Sequence, residues 1–180
     1  MKVEQLALPP WAVASPRRRA HIARVTGLAL EWADAMHVDK MTRDAWRDAA
    51  QWHDLLRDAE DSELRAIVPH LDWPASTLHG PAAAAKLAED GERRADVLDA
   101  IFWHTIGKAK WVRTGRMLYM ADYLEHGRTF ERKERARLAA NVAEDFEGTF
   151  RAVVRLRLGD RIASESTLRV ETAELWESVR

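Results

Sequence analysis

Cysteine is missing from this 180-residue chain. That excludes a disulfide framework and any thiolate metal site, so a metal here must be held by imidazole and carboxylate. Long apolar runs are missing as well: no stretch approaches the roughly 18 uncharged apolar residues that a membrane-spanning helix needs. The short piece Leu6-Ala-Leu-Pro-Pro, preceded by Lys2, is too brief for a signal h-region, so cytoplasm is the expected compartment. Charge of one sign is also lacking. Twenty-eight Lys and Arg residues against 29 Asp and Glu leave a net charge of −1, without the basic excess of a dedicated nucleic-acid binder. Neither membrane nor nucleic acid is an expected partner. What is present, 47% apolar and 32% charged residues, is the balance of a folded globular protein long enough to bury one sizeable core.

Helical periodicity fills most of the chain. Residues 1–14 have no clear period, and Pro9-Pro10 forbids a continuous helix there. Ser15-Pro16 reads as a cap and first helical residue, opening a helix to about Met36 with His21, Val25, Leu28, Ala29 and Trp32 on one face. Thr42 is the expected cap of a second helix, in which Ala45, Ala49, Trp52, His53 and Leu56 repeat the same spacing. A short helix over 63–68 and a loop at Pro69 and Trp73-Pro74 come next. The alanine-rich stretch from His79 to Glu89 favours helix and is ended by Asp90-Gly91. Helices over Glu92–His104 and Arg113–Glu125 follow, the second with Leu118, Ala121, Asp122 and Glu125 on one face. One long helix from Phe130 to about Leu158, capped by Thr129 and ended by Gly159, precedes a last helix from about Thr167 to Val179. The expectation is an all-α single domain over 1–180: an extension (1–14), histidine-bearing helices (17–127) and C-terminal helices (129–180).

A histidine on an apolar stripe is most simply a core residue bonded to a carbonyl. Four histidines and two aspartates so placed, His21, His53, Asp54, His79, His104 and Asp122, are harder to explain that way. Buried carboxylates without partners are costly, and metal ions would supply the missing positive charge. Imidazole with carboxylate suits zinc, iron, manganese or cobalt and does not choose among them. Gaps of roughly 18 to 32 residues put the groups on different helices, so such a site requires the whole fold. His37, His70 and His126 read as solvated. Trp111 is a candidate for stacking on a purine, and Arg18, Lys108, Lys110 and Arg128 for holding phosphate.

The order His21, His53-Asp54, His79, His104, Asp122 resembles the HD-domain phosphohydrolase superfamily, in its branch with two extra histidines. More closely it is similar to the bacterial symmetrical bis(5′-nucleosyl)-tetraphosphatases. The resemblance rests on Arg18-Arg-Ala-His21, Leu78-His79-Gly80-Pro81, His104-Thr105-Ile106-Gly107, Ala121-Asp122-Tyr-Leu-Glu125-His-Gly-Arg128 and Ser166-Thr167-Leu-Arg169, and covers the chain from about residue 17 onward. It implies an HD-type helical bundle with a dinuclear metal site at its centre. His21, His53, Asp54 and Asp122 would hold one ion, and Asp54 would bridge to a second held by His79 and His104. In that family the ions are iron, and a bridging hydroxide cleaves diadenosine tetraphosphate to two ADP. Asp54 and Arg57 would then be catalytic, with Arg18, Thr105, Gly107, Lys108 and Arg128 on the substrate.

Two departures bear on this. The family carries Lys where this chain has Arg57, and Arg keeps its proton near neutral pH, so a general-acid role there is lost. The second Thr of the family's His-Thr-Thr-Gly is Ile106. The alternatives are another nucleotide substrate, a mononucleotide or guanosine alarmone, or an HD module that senses nucleotides without turnover. Oligomeric state is left open, a homodimer included.

Overall fold

The Ser15 hydroxyl accepts the Arg18 N–H at 3.3 Å, and Pro16 follows as the first residue of α1 (Pro16–Ala35). Cap and proline thus start this helix where their chemistry dictates. The structure, a computed structural model, describes residues 8–165 and 167–180. Lys2, Leu6 and Ala7, together with Ser166 of the last motif, lie outside the described residues.

Helices α2 (Lys40–Trp52), α3 (Asp61–Ile67), α4 (His79–Glu89), α5 (Ala95–Trp103) and α6 (Arg113–Leu124) follow, with a 3₁₀ turn over Ala75–Thr77. Then come α7 (Arg132–Asn141), α8 (Phe146–Ala163) and α9 (Val170–Val179), and no strand is found among the described residues. The all-α expectation is borne out. α1 packs along α2, and α2, α5 and α6 pack mutually, with α4 against α5. α6 also touches α1, α7 and α8, and all but two of its residues are buried. A helix buried nearly all round lies in the interior, and α6 is the central post. The main core joins Val25, Ala29 and Trp32 of α1, Trp46 of α2, Ile101 of α5, Met117 and Leu118 of α6 and Phe150 of α8. A smaller cluster, Leu56, Leu64, Val68, Leu78 and Ala82, seats α3 against α4. No helix among the described residues is long and apolar enough to cross a membrane.

Several boundaries differ from expectation, each for a local reason. α2 is capped by Asp39, whose carboxylate accepts both the backbone N–H and the hydroxyl of Thr42 at 2.9 Å, so Thr42 lies inside the helix. Trp52 is its last residue and His53 the cap. Residues 92–94 do not begin α5. The Glu92 carboxylate accepts the N–H groups of Arg93 and Arg94 at 2.8 Å, pinning a turn ahead of Ala95. The expected helix from Phe130 to Leu158 is two helices. The Asn141 carbonyl accepts the N–H groups of Glu144 and Asp145, and Asp145 then caps α8 through Gly148 N at 2.9 Å. An apolar period cannot register that interruption, because it is set by local hydrogen bonds of Asn141 and Asp145. Gly159 does not end α8, which continues to Ala163. Trp111 is not free to stack on a ligand: it is 2% exposed, and its ring lies so close to Gly115 that any Cβ there would overlap it.

Candidate metal centre

Three of the six candidate ligands sit at helix ends, where backbone groups lack intrahelical partners. His53 caps α2 and its Nδ1 lies 2.7 Å from the Ala50 carbonyl. His104 caps α5 and repeats this with the Ile101 carbonyl, again at 2.7 Å. A carbonyl only accepts, so in both rings Nδ1 carries the hydrogen and the neutral ring turns a lone pair inward at Nε2. His79 opens α4, His21 lies on α1 and Asp122 on α6. Asp54 follows His53 in the turn after α2.

Asp54 stands between two histidine pairs. Its Oδ2 is 3.6 Å from Nε2 of both His21 and His53, and its Oδ1 is 3.3 Å from His79 Nε2 and 3.4 Å from His104 Nε2. Within the pairs, Nε2 atoms approach to 3.4 Å (His21, His53) and 3.1 Å (His79, His104). Asp122 Oδ1 joins the first pair, 3.2 Å from His21 Nε2. All six groups are buried. Lone pairs aimed at one another at such distances repel unless a cation or proton lies between them. Asp54 with His21 and His53, and Asp54 with His79 and His104, each offer donors close enough to hold an ion. The donor set therefore fits metal, with one carboxylate oxygen toward each group.

The electrostatics of the site point the same way. Burial alone would lower His21, but hydrogen bonds to Asp122 and Glu125 outweigh it and raise the ring to about 9. Burial drives His53 down to about 4, keeping it neutral, and also lowers His79. Burial opposes charge on Asp54 and Asp122. The surrounding imidazoles of His53, His104 and His79 nevertheless hold Asp54 well below the usual carboxylate range, and His21 and Arg128 do the same for Asp122.

Arginines surround this centre. Arg18 Nη1 contacts Asp54 Oδ2 at 2.5 Å and Arg128 Nη2 contacts Asp122 Oδ1 at 2.8 Å. A cavity of about 550 Å³ opens onto His21 between Ser15, Arg17, Arg18, Arg24 and Arg128. The Thr105 hydroxyl lies 3.3 Å from His79 Nε2 and 3.2 Å from His104 Nε2. Arg57, three residues past Asp54, is exposed. Other candidates are turned elsewhere. Gly107 is buried beneath Leu175 of α9, and Lys108 Nζ is paired with Asp99 at 2.7 Å. Ile106 is 1% exposed and its carbonyl accepts the Thr172 hydroxyl, so its side chain lies in the core, away from any phosphate. His37, His70 and His126 are exposed, as expected of solvated residues.

Sequence reasoning gave no role to Glu125, Arg24 or Arg157. Glu125, 2% exposed, accepts from His21 Nδ1 at 3.1 Å, Arg24 Nε at 2.5 Å and Gly127 N at 2.6 Å. Arg157 reaches Asp122 Oδ2 at 3.4 Å across the ring of Tyr119. A signal for Glu125 did exist: an acid on the same core-facing stripe as Asp122. An imidazole held from behind by a carboxylate is the arrangement that fixes ring orientation at metal sites.

No family model matches the chain. Among curated proteins it is similar to the symmetrical bis(5′-nucleosyl)-tetraphosphatase of Bacillus subtilis (strain 168), 30% identical over 121 residues, 63% of each chain. The Staphylococcus aureus protein of the same name is 29% identical over 121 residues, 63% of this chain and 61% of its own. The match thus spans about three-fifths of these relatives' length. Among solved structures, the chain is similar to a Clostridium acetobutylicum protein described as a predicted HD superfamily hydrolase involved in NAD metabolism. The TM-score is 0.78, with 92% of this chain and 89% of that one covered at 23% identity. The fold is the HD-hydrolase fold. The resemblance carried by the motifs is borne out by these proteins, and the buried His and Asp groups occupy the middle of that HD bundle.

Proposed function

We propose that the protein is a metal-dependent phosphohydrolase of dinucleoside polyphosphates, splitting diadenosine tetraphosphate symmetrically into two ADP. The observation that carries this is Asp54, whose two oxygens face separate histidine pairs beneath an arginine-lined cavity. Two ions, iron by the family resemblance, would be held by His21, His53, Asp54 and Asp122 on one side and by Asp54, His79 and His104 on the other. Such a pair supplies Lewis acidity and lowers the pKa of water. The relatives' shared name supports the substrate, and the cavity supports a polyanion.

The chain's own residues would do the rest. Arg18 and Arg128, which rest on Asp54 and Asp122, would be available to phosphate oxygens if bound metal took over the charge of those carboxylates. Arg57, exposed three residues past Asp54, carries a charge it cannot release, so it would offset phosphate charge rather than donate a proton. The Thr105 hydroxyl, beside His79 and His104, offers a hydrogen bond to a bridging phosphate oxygen.

The test is elemental analysis joined to a nucleotide panel. Purified protein should hold close to two metal ions and release ADP alone from diadenosine tetraphosphate, and Asp54→Ala should lose both. An unaltered rate in that variant refutes the reading. Turnover of only a mononucleotide or a guanosine polyphosphate moves the substrate.

A further inference from the structure

A second cavity, of about 530 Å³, lies on the far side of Arg128, between α1, α7 and the end of α6. It shares Arg128 and Glu125 with the cavity that opens onto His21. Its size falls within the roughly 300–1,000 Å³ of small-molecule sites. Leu28, Leu124 and Ala139 give it an apolar wall, while Arg128, Arg132 and Arg135 give it positive charge. Glu31 and Glu125 also line it, but Glu125 is already engaged by Arg24 and His21.

Arg135 is the telling residue. It is 2% exposed, and among the described residues no carboxylate lies within ion-pair distance of it. The rings of Phe130 and Tyr123 flank its guanidinium at 4.5 and 5.0 Å, one N–H reaches the Glu125 carbonyl at 3.4 Å, and its Nε has no partner. Arg132, one turn earlier, likewise has no ion-pair partner among the described residues. A buried cation without a counter-charge is costly. The cavity beside it therefore suits a ligand that is part apolar and part anionic.

We propose that this cavity is a second subsite, taking the nucleoside of a nucleotide whose phosphates pass Arg128 into the arginine-lined cleft over His21. The base and ribose lie against Leu28, Leu124 and Ala139, and the adjoining phosphate sits between Arg128 and Arg132. This rests on the phosphohydrolase reading and sharpens it. A dinucleoside polyphosphate would be chosen over a bare polyphosphate because there is a place to bury one nucleoside outside the metal centre.

The test is equilibrium binding of two probes, ADP and pyrophosphate, to the metal-loaded protein, by calorimetry. Ala136 is exposed on α7 and lines the cavity, so Ala136→Trp fills it without disturbing the core. Arg132→Glu, also at an exposed position, reverses its charge. Each should weaken ADP by at least about tenfold while pyrophosphate stays within about twofold, because pyrophosphate needs only the cleft. Metal content and far-UV circular dichroism should match the wild type. ADP binding no tighter than pyrophosphate, or ADP affinity within about twofold of wild type in both variants, overturns the subsite. If the variants lose ADP as expected but wild type leaves diadenosine tetraphosphate intact, the subsite stands and the proposed substrate falls.

Discussion

Replacing Glu125 by alanine tests whether the carboxylate behind His21 holds the ring in place. Glu125 is 2% exposed and accepts hydrogen bonds from three residues, His21, Arg24 and Gly127. Truncation strips all three donors at once and leaves the Arg24 charge without its carboxylate. Removing one partner of a buried ion pair costs about 3–5 kcal/mol. The Arg24 side chain is 29% exposed, so water recovers part of that loss and the lower end, about 3 kcal/mol, is expected. In a domain of this size 1 kcal/mol shifts Tm by about 2–4 °C, so Tm should fall by roughly 6–12 °C. A second effect is separate from stability. With nothing fixing Nδ1, the His21 ring is free to turn its Nε2 from Asp54 and Asp122, and metal retention should drop by about 10–100-fold. The assays are calorimetry on chelator-stripped protein and elemental analysis after dialysis against graded metal. Glu125→Gln, which keeps an acceptor but no charge, should fall between the two. A Tm within about 2 °C of wild type together with an unchanged metal titration would refute the positioning role.

Glu92 gives a pH prediction away from the metal centre. Its hydrogen bond with the Arg94 side chain, helped by the Arg94 and Arg93 N–H groups, lowers its pKa from an ordinary 4.5 to about 2. The folded value lies below the unfolded one, so its stabilisation is complete above pH 4.5 and is lost as pH falls toward 2. Glu92→Gln should therefore lose less Tm across that interval than wild type, and equal slopes in a calorimetric pH series would contradict the assignment. Gly107→Ala should be destabilising by about 1–3 kcal/mol in urea titration. Its φ of +77° disfavours a side chain, and a Cβ there would stand 2.3 Å from Leu175 Cδ2. A neutral result would mean that α9 yields freely at Leu175.

The sequence by itself determined the helical class and that His21 and Asp122 turn inward. Both follow from short-range periodicity: His21 shares a stripe with Val25, Ala29 and Trp32, and Asp122 shares one with Leu118 and Ala121. It also set the start of α1 and the end of α4, where Ser15-Pro16 and Asp90-Gly91 act on their immediate neighbours. Other boundaries depended on which of several competing side-chain caps the backbone selected. Asp39 prevailed over Thr42, and Asp145 interrupted what a continuous apolar stripe presents as one helix. The convergence of ligands lay beyond local pattern altogether. Spacing places His53, His79 and His104 on separate helices, but only the packing of α2 and α4 against α5 brings their Nε2 atoms to the two oxygens of Asp54. Tertiary structure also decided the neighbours of that cluster. Glu125 was put behind His21, Ile106 and Trp111 were taken into the core, and Lys108 was spent on Asp99. The physical reason is range: periodicity and capping act within a turn or two of chain, whereas the pairing of buried charges is settled by groups that meet only when the helices pack.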